Sequence, residues 1–364
     1  MAININLSKL TSERPFNPDE VSPWKDMKRV VLDSEGNEIG TLRDDDSSKW
    51  EDGTDVDWNE VESSGWNVME RTPKFYYAKF PFNIGGSYDD GHIWLISDKP
   101  EEGFELHPAF MRCRDKLCDD LSGVAKEVDY RYRGAFLGWV DGQGRLRSLP
   151  NKSPQTDKTI GDFRNYAKAN GNGWGITDFN LHFATQLLYS VEYGDYDSQT
   201  ALGRGYVDGN SGKTNTGSTL PYGNKSYGET TGKKQMSYRG IEDFWGNCRY
   251  WIDGFYSDGS RNILIGNKGF NNNGDGYNNK GQGATSDISG YIGNIQSKND
   301  CGFVISATNG SGSTKLYVSG NLSASCLPIA GGYWDAGSNA GAFYFYCYYS
   351  ASRAFPNVTA SVAF

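Results

Sequence analysis

The run Phe343-Tyr344-Phe345-Tyr346-Cys347-Tyr348 limits what this chain can fold into more than any other stretch. Alternation at a period of two specifies an extended strand, with Phe343, Phe345 and Cys347 on one face and Tyr344, Tyr346 and Tyr348 on the other. The first face fits a core and the second a surface. Around it, residues 330 to 364 hold ten aromatic side chains and only two charges, Asp335 and Arg353. Exposed tyrosines in a row invite aggregation, and monomeric proteins seldom keep a large apolar patch without a use. Tyrosine also offers a large contact area, few rotatable bonds and a polar tip, the combination that enriches it in antibody binding loops. These properties favour a recognition surface. The competing reading is that the tyrosines cover another part of the fold.

Composition narrows the remainder. A chain of 364 residues can bury a substantial core, as one large domain with a small appendage or as two modest domains. Its 46 glycines and 14% aromatic content imply short elements and frequent turns, in a loop-rich β or α+β protein. The net charge of −9 argues against a nucleic-acid partner, which requires a basic footprint. No stretch approaches the roughly 20 apolar residues that span a bilayer. The start, Met-Ala-Ile-Asn-Ile-Asn, lacks a charged segment followed by an apolar one, so cytosolic synthesis without membrane insertion is expected. Cys113, Cys118, Cys248, Cys301, Cys326 and Cys347 form no CxxC pair and are expected to be reduced thiols. His92, His107 and His182 share no metal-ligand spacing and read as buried or turn histidines. Neither a metal site nor a cofactor is expected.

Along the chain, Val30 to Leu32, a Ser-Glu-Gly-Asn turn and Glu38 to Leu42 predict a hairpin. The acidic stretch from 44 to 57 is too polar to bury and reads as a surface loop. Residues 71 to 80 and 93 to 96 read as strands, and the main domain is placed from 65 to 364 behind an N-terminal segment, 1 to 64. Thr159 caps a helix with Ile160, Phe163 and Ala167 on one face, ended by Asn170-Gly171. A second helix, from Thr177 or Asp178, puts Phe179, Phe183, Leu187 and Val191 at spacing four, a stripe that points into a core. Residues 203 to 234 and 267 to 293 read as long Gly/Asn-rich surface loops. Asn271 to Gly276 looks like a calcium loop but lacks most of the acidic ligands. In the segment from Gly240 to Gly254, Trp245 and Trp251 flank a Gly-Asn turn and are expected to be buried.

Three of these segments resemble one family, the variable proteins of diversity-generating retroelements in phages and bacteria. Thr177 to Gly194 is similar to the family's second helix. Gly240 to Gly254 resembles its G-L-x-D-x-x-G-N-V-W-E-W turn, although Arg249-Tyr250-Trp251 stands in place of W-E-W. Gly331-Gly332-Tyr333-Trp334-Asp335-Ala336-Gly337 resembles the G-G-S-W-x-x-G opening of the variable region. The resemblance covers 65 to 364 and implies a C-type-lectin-like α+β fold of the formylglycine-generating-enzyme type, a small antiparallel sheet with two flanking helices.

In that family, adenine substitution turns Asn codons of the form AAC into codons for Tyr, Asp, Ala, Arg, Phe, Ser or Cys, but not Trp, Lys, Glu, Gln or Met. Tyr333, Asp335, Ala336, Tyr344, Tyr346, Tyr348, Tyr349, Arg353 and Phe355 all fall in the permitted set, and Asn357 fits an unmutated site. The resemblance therefore implies a ligand-binding surface on a variable region of about 330 to 364. Its expected role is that of a phage tail-tip or tail-fibre adhesin, carried on the virion after cytosolic synthesis. The expected partner is a protein or glycan on a bacterial surface, with homo-oligomerisation or tail attachment through residues 1 to 64. Two alternatives stay open. One is a virion decoration protein whose tyrosines make subunit contacts. The other is an oxidase like the formylglycine-generating enzymes, which needs a close pair of cysteines, whereas Cys347 has no neighbour in sequence nearer than Cys326. No catalytic residue is assigned.

Overall fold

The computed structural model describes residues 3–6, 17–81, 92–114, 122–308 and 318–364. Cys118 and the side chain of His92 lie outside the described residues. The protein is mostly β with few helices. Two seven-stranded sheets dominate it, so the small sheet expected from the resemblance is a correction. The first sheet runs Gly175–Ile176, Val362–Ala363, Tyr130–Gly134, Asn67–Pro73, Lys28–Leu32, Glu38–Arg43, Asp46–Trp50. The second runs Ile305–Thr308, Ile288–Ile295, Ser319–Leu322, Phe345–Tyr349, Leu327–Ala330, Arg249–Trp251, Val358–Thr359. The last residues stitch the two together, because Val358–Thr359 belongs to one sheet and Val362–Ala363 to the other.

The predicted hairpin forms, with Val30 opposite Thr41 and Val31 opposite Gly40. Its first strand continues into the body of the sheet, pairing Val30 with Met69 and Val31 with Val68. A boundary at residue 64 therefore runs through a sheet and does not separate two units. The acidic stretch is not a plain surface loop either. Asp46–Trp50 adds an edge strand and buries Ser47, since alternation lets a charged strand keep its carboxylates in water. The two Gly/Asn-rich stretches also differ from open loops. Asn278–Gln282 and Ile288–Ile295 are strands, and Val207, Thr216 and Thr219 are buried.

Both predicted helices form. Ile160–Lys168 starts on a reciprocal capping box between Thr159 and Asp162. Phe179–Tyr193 is capped by the Asp178 carboxylate, which accepts from the Leu181 amide at 3.0 Å, and ends on Gly194 in the left-handed region. Every residue of that helix except Tyr193 is buried, so it is a central pillar with no solvent face. Several of its polar side chains find partners inside the protein, as where Glu192 pairs with Arg239 at 2.8 Å. Its Phe183 and Tyr189 pack with Trp94, Trp245, Phe303 and Phe343 in an aromatic core that compensates for scarce aliphatics. Trp245 and Trp251 are both fully buried, as expected. Among the described residues, no helix is long and apolar enough to cross a membrane.

The expectation of reduced thiols fails at Cys113, which is disulfide-bonded, while Cys248, Cys301, Cys326 and Cys347 are free and buried. That expectation rested on an inferred compartment, which spacing alone does not fix.

Candidate functional site

The site is built on the strand Phe345–Tyr349, held between Ser319–Leu322 on one side and Leu327–Ala330 on the other. Phe343, Phe345 and Cys347 point into the aromatic core around the central helix, as the alternation requires. On the opposite face the rings form a connected ridge. Tyr344 stacks on Tyr346 at 6.1 Å, Tyr346 meets Tyr348 at 6.0 Å and Tyr349 at 5.8 Å, and Tyr349 meets Phe355 at 4.5 Å. Exposure rises along it, from 5% at Tyr344 to 54% at Tyr348, with Tyr346, Tyr349 and Phe355 half-buried.

Two expected surface residues are buried. Tyr344 is covered, and burial pushes its phenol up to about 12, although the nearby Arg249 opposes that shift. Ala336 packs with Val207 and Ala340 beneath Tyr333. Alternation settles which face a residue takes, not what the rest of the chain lays over it. Asp335 and Arg353 are exposed, and Tyr333 and Asn357 are half-buried.

Arg249 was not singled out from sequence, except as a departure from the family's turn. Its guanidinium lies 4.3 Å from the centre of the Tyr333 ring, and its Nε is buried without a hydrogen-bond partner. Its backbone amide donates to the Asn357 carbonyl at 3.0 Å, which ties the end of the ridge to the Gly-Asn turn. Arg249 thus links Tyr333 to the ridge, and the cation with its half-exposed rings is the arrangement that dominates binding energy at many interfaces.

The segment is held chiefly through its main chain. Gln186 Nε2 donates to the Ala342 carbonyl at 2.9 Å, and Gln199 Nε2 donates to Gly337 at 2.8 Å and Ala340 at 2.9 Å. Asn210 Nδ2 reaches the Trp334 carbonyl at 3.0 Å, while the Trp334 amide donates to the Asn247 carbonyl at 3.0 Å. Gly331 and Gly332 are required by close approach. A Cβ on Gly331 would lie 2.8 Å from Tyr250, and one on Gly332 would lie 2.4 Å from the Cβ of Ala340. None of these clamps depends on the side chains at 333, 335, 346, 348, 349, 353 or 355.

Under the ridge, Cys347 Sγ lies 2.7 Å from Cys326 Sγ. The pair absent from the sequence spacing is therefore present in space, because antiparallel pairing of Leu327–Ala330 with Phe345–Tyr349 brings together two cysteines 21 positions apart. Both thiols are fully buried, and burial followed by Cys326 holds the Cys347 thiol well above its ordinary range.

No protein-family model and no curated protein sequence matches the chain. Among solved structures, the M1 variant of the Major Tropism Determinant is 11% identical, with a TM-score of 0.32 over 80% of this chain and 71% of that one. The U1 variant is 11% identical, with a TM-score of 0.33 over 93% and 71%. PvdO from Pseudomonas aeruginosa is 12% identical, with a TM-score of 0.28 over 82% and 94%. Overlaps this loose define neither the fold nor the role of the chain.

Proposed function

We propose that the ridge formed by Tyr346, Tyr348, Tyr349 and Phe355, together with Tyr333 and the Arg249 cation beside it, is a recognition surface for a protein or glycan on a bacterial cell. The observation that carries this reading is the main-chain clamping of residues 331 to 342. A segment held by its backbone keeps its shape when exposed side chains are exchanged, which is what a scaffold for varied residues needs. The motif resemblance to retroelement variable proteins supports the same reading. On this reading the protein is a phage tail-tip or tail-fibre adhesin whose residues around 330 to 364 are diversified. Asp335, Arg353 and Asn357 complete the variable set at its margin, whereas Tyr344 and Ala336 act as supports.

The test separates binding from folding. Replacing Tyr346, Tyr348 and Tyr349 together with Asn, the presumed template residue, is expected to lower stability by less than about 1 kcal/mol per site. Phe343→Ala, at the buried face, is expected to lose about 3–5 kcal/mol. On an array of bacterial envelope preparations and glycans, the triple variant should lose the signals that the parent gives. A triple variant that unfolds as Phe343→Ala does would return these tyrosines to the core. A near-copy of the coding bases for this segment beside a reverse-transcriptase gene, with adenines at the varied codons, would support diversification independently.

The paired sulfurs of Cys326 and Cys347 favour one competing reading, an oxidase of the formylglycine-generating kind. Burial and the raised thiol argue against it, since metal binding and oxidation proceed through an accessible thiolate. The purified protein supplied with copper is expected to leave a cysteine-containing peptide unoxidised. Copper-dependent turnover that disappears in Cys326→Ser would establish the oxidase instead.

A further inference from the structure

Away from the ridge, a cavity of about 300 Å³ opens between the helix Ile160–Lys168 and the loop that follows the Ile265 strand end. In a chain of net charge −9, the described residues of its lining include four cations, Arg112, Arg164, Lys168 and Lys268, and one carboxylate, Asp253. That carboxylate is already engaged. Arg164 holds it through two bonds of 2.7 Å, and the Gly254 amide donates to it at 2.9 Å. Arg164 is further fixed by the Asn271 carbonyl at 2.9 Å.

Arg112 is the unusual member. It is 7% exposed, its Nη2 makes one bond of 3.3 Å to the Gly173 carbonyl, and its Nε is buried without a hydrogen-bond partner. The Phe270 ring lies 5.6 Å from the guanidinium carbon. The other buried carboxylate near it, Asp178, is bonded to Arg131 at 2.6 Å. Burial, and then Arg131, pull the Arg112 guanidinium down to about 10, against the opposing pull of Asp178 and Asp253. A buried guanidinium with an unused donor is costly unless something accepts from it.

We propose that this cavity binds a small molecule through one oxyanionic group, a carboxylate or a phosphate, seated on Arg112 with Lys168 and Lys268 around it and its body against Phe270. An anion there satisfies the unused Arg112 donor in a concave site of small-molecule size. The proposal is independent of the ridge, so its failure leaves the recognition surface untouched.

Isothermal titration at constant ionic strength with inorganic phosphate, and separately with glucuronate against glucose, tests it and distinguishes the two oxyanions. Saturable binding of at least one of the two anions, with none for glucose, is expected. Lys268→Gln should weaken it about tenfold, the worth of one charge-assisted bond, and Arg112→Gln should abolish it. Should Arg112→Gln fail to fold, Lys268→Gln and Lys168→Gln carry the test, since both side chains reach solvent. Absence of saturable binding by either anion, or equal affinity in the lysine variants, overturns the proposal.

Discussion

Arg131→Met is expected to lower unfolding free energy by about 3–5 kcal/mol in chemical denaturation, the usual loss when one partner of a buried ion pair is removed. The side chain is fully buried and joins parts of the chain that are far apart. One Nη donates to the Asp178 carboxylate at 2.6 Å, the other donates to the Ala109 carbonyl at 2.6 Å, and Nε faces the Phe364 carbonyl at 3.4 Å. Asp178 is the cap of the central helix, so the bridge fixes where that helix begins against the first sheet. Burial opposes ionisation of Asp178, but Arg131 and then Arg112 outweigh it and hold the carboxyl below the usual range. Without Arg131 that carboxylate is left ionised in a dry interior or forced to protonate, and the Ala109 carbonyl loses its donor. Adding Asp178→Asn should recover part of the loss, because the amide oxygen still caps the helix while the stranded charge is gone. A single variant within about 1 kcal/mol of the parent would show that the bridge contributes little.

What could be read from sequence, and what could not, divides along the range of the interactions. Thr159, Asp178 and Gly194 announce their helix ends because caps act within four residues of themselves. Phe343, Phe345 and Cys347 face the core because alternation is a property of one strand. Tyr344 was misplaced because its burial depends on what the rest of the chain lays over that face, which the alternation of one strand does not record. The Cys326–Cys347 contact was hidden for the same reason, since strand pairing and not sequence spacing sets it.

The central helix shows a second limit. Gln186 and Glu192 lie off the apolar stripe of Phe179, Phe183, Leu187 and Val191, yet Gln186 clamps the Ala342 carbonyl and Glu192 is paired with Arg239. A pattern of polar residues does not distinguish water from buried partners. Of the candidate site, the tyrosine-bearing strand was legible, and the glutamine and asparagine clamps that hold its neighbouring loop were not.

Replacing His182 with Phe is expected to leave stability near pH 7 unchanged or slightly raised, and to remove a loss that the parent suffers in acid. His182 is fully buried, packed 5.8 Å from the Phe244 ring and 5.9 Å from the Tyr250 ring, and both its nitrogens lack hydrogen-bond partners. Burial, reinforced by the neighbouring Arg133, holds its pKa well below 6.5. In the unfolded chain the ring titrates near 6.5, so below that pH the unfolded state binds a proton that the folded state refuses. The contribution is therefore present in full above about pH 6.5 and is lost as pH falls, by about 1.4 kcal/mol per unit. Buried carboxyls such as Glu70, pushed up to about 8 by burial, favour folding as pH falls through the same range and mask the histidine in the parent's total profile. The difference between His182→Phe and the parent cancels those groups. That difference should grow by roughly 2 kcal/mol in favour of the variant between pH 6.5 and 4.5, read from urea midpoints at each pH. His107, bonded through Nδ1 to the Ala109 amide at 3.2 Å and held at about 3 chiefly by burial, provides a second group of the same sign that the variant leaves in place. A difference that stays flat across this range would mean that His182 accepts a proton in the folded protein, and that Arg133 does not oppose it.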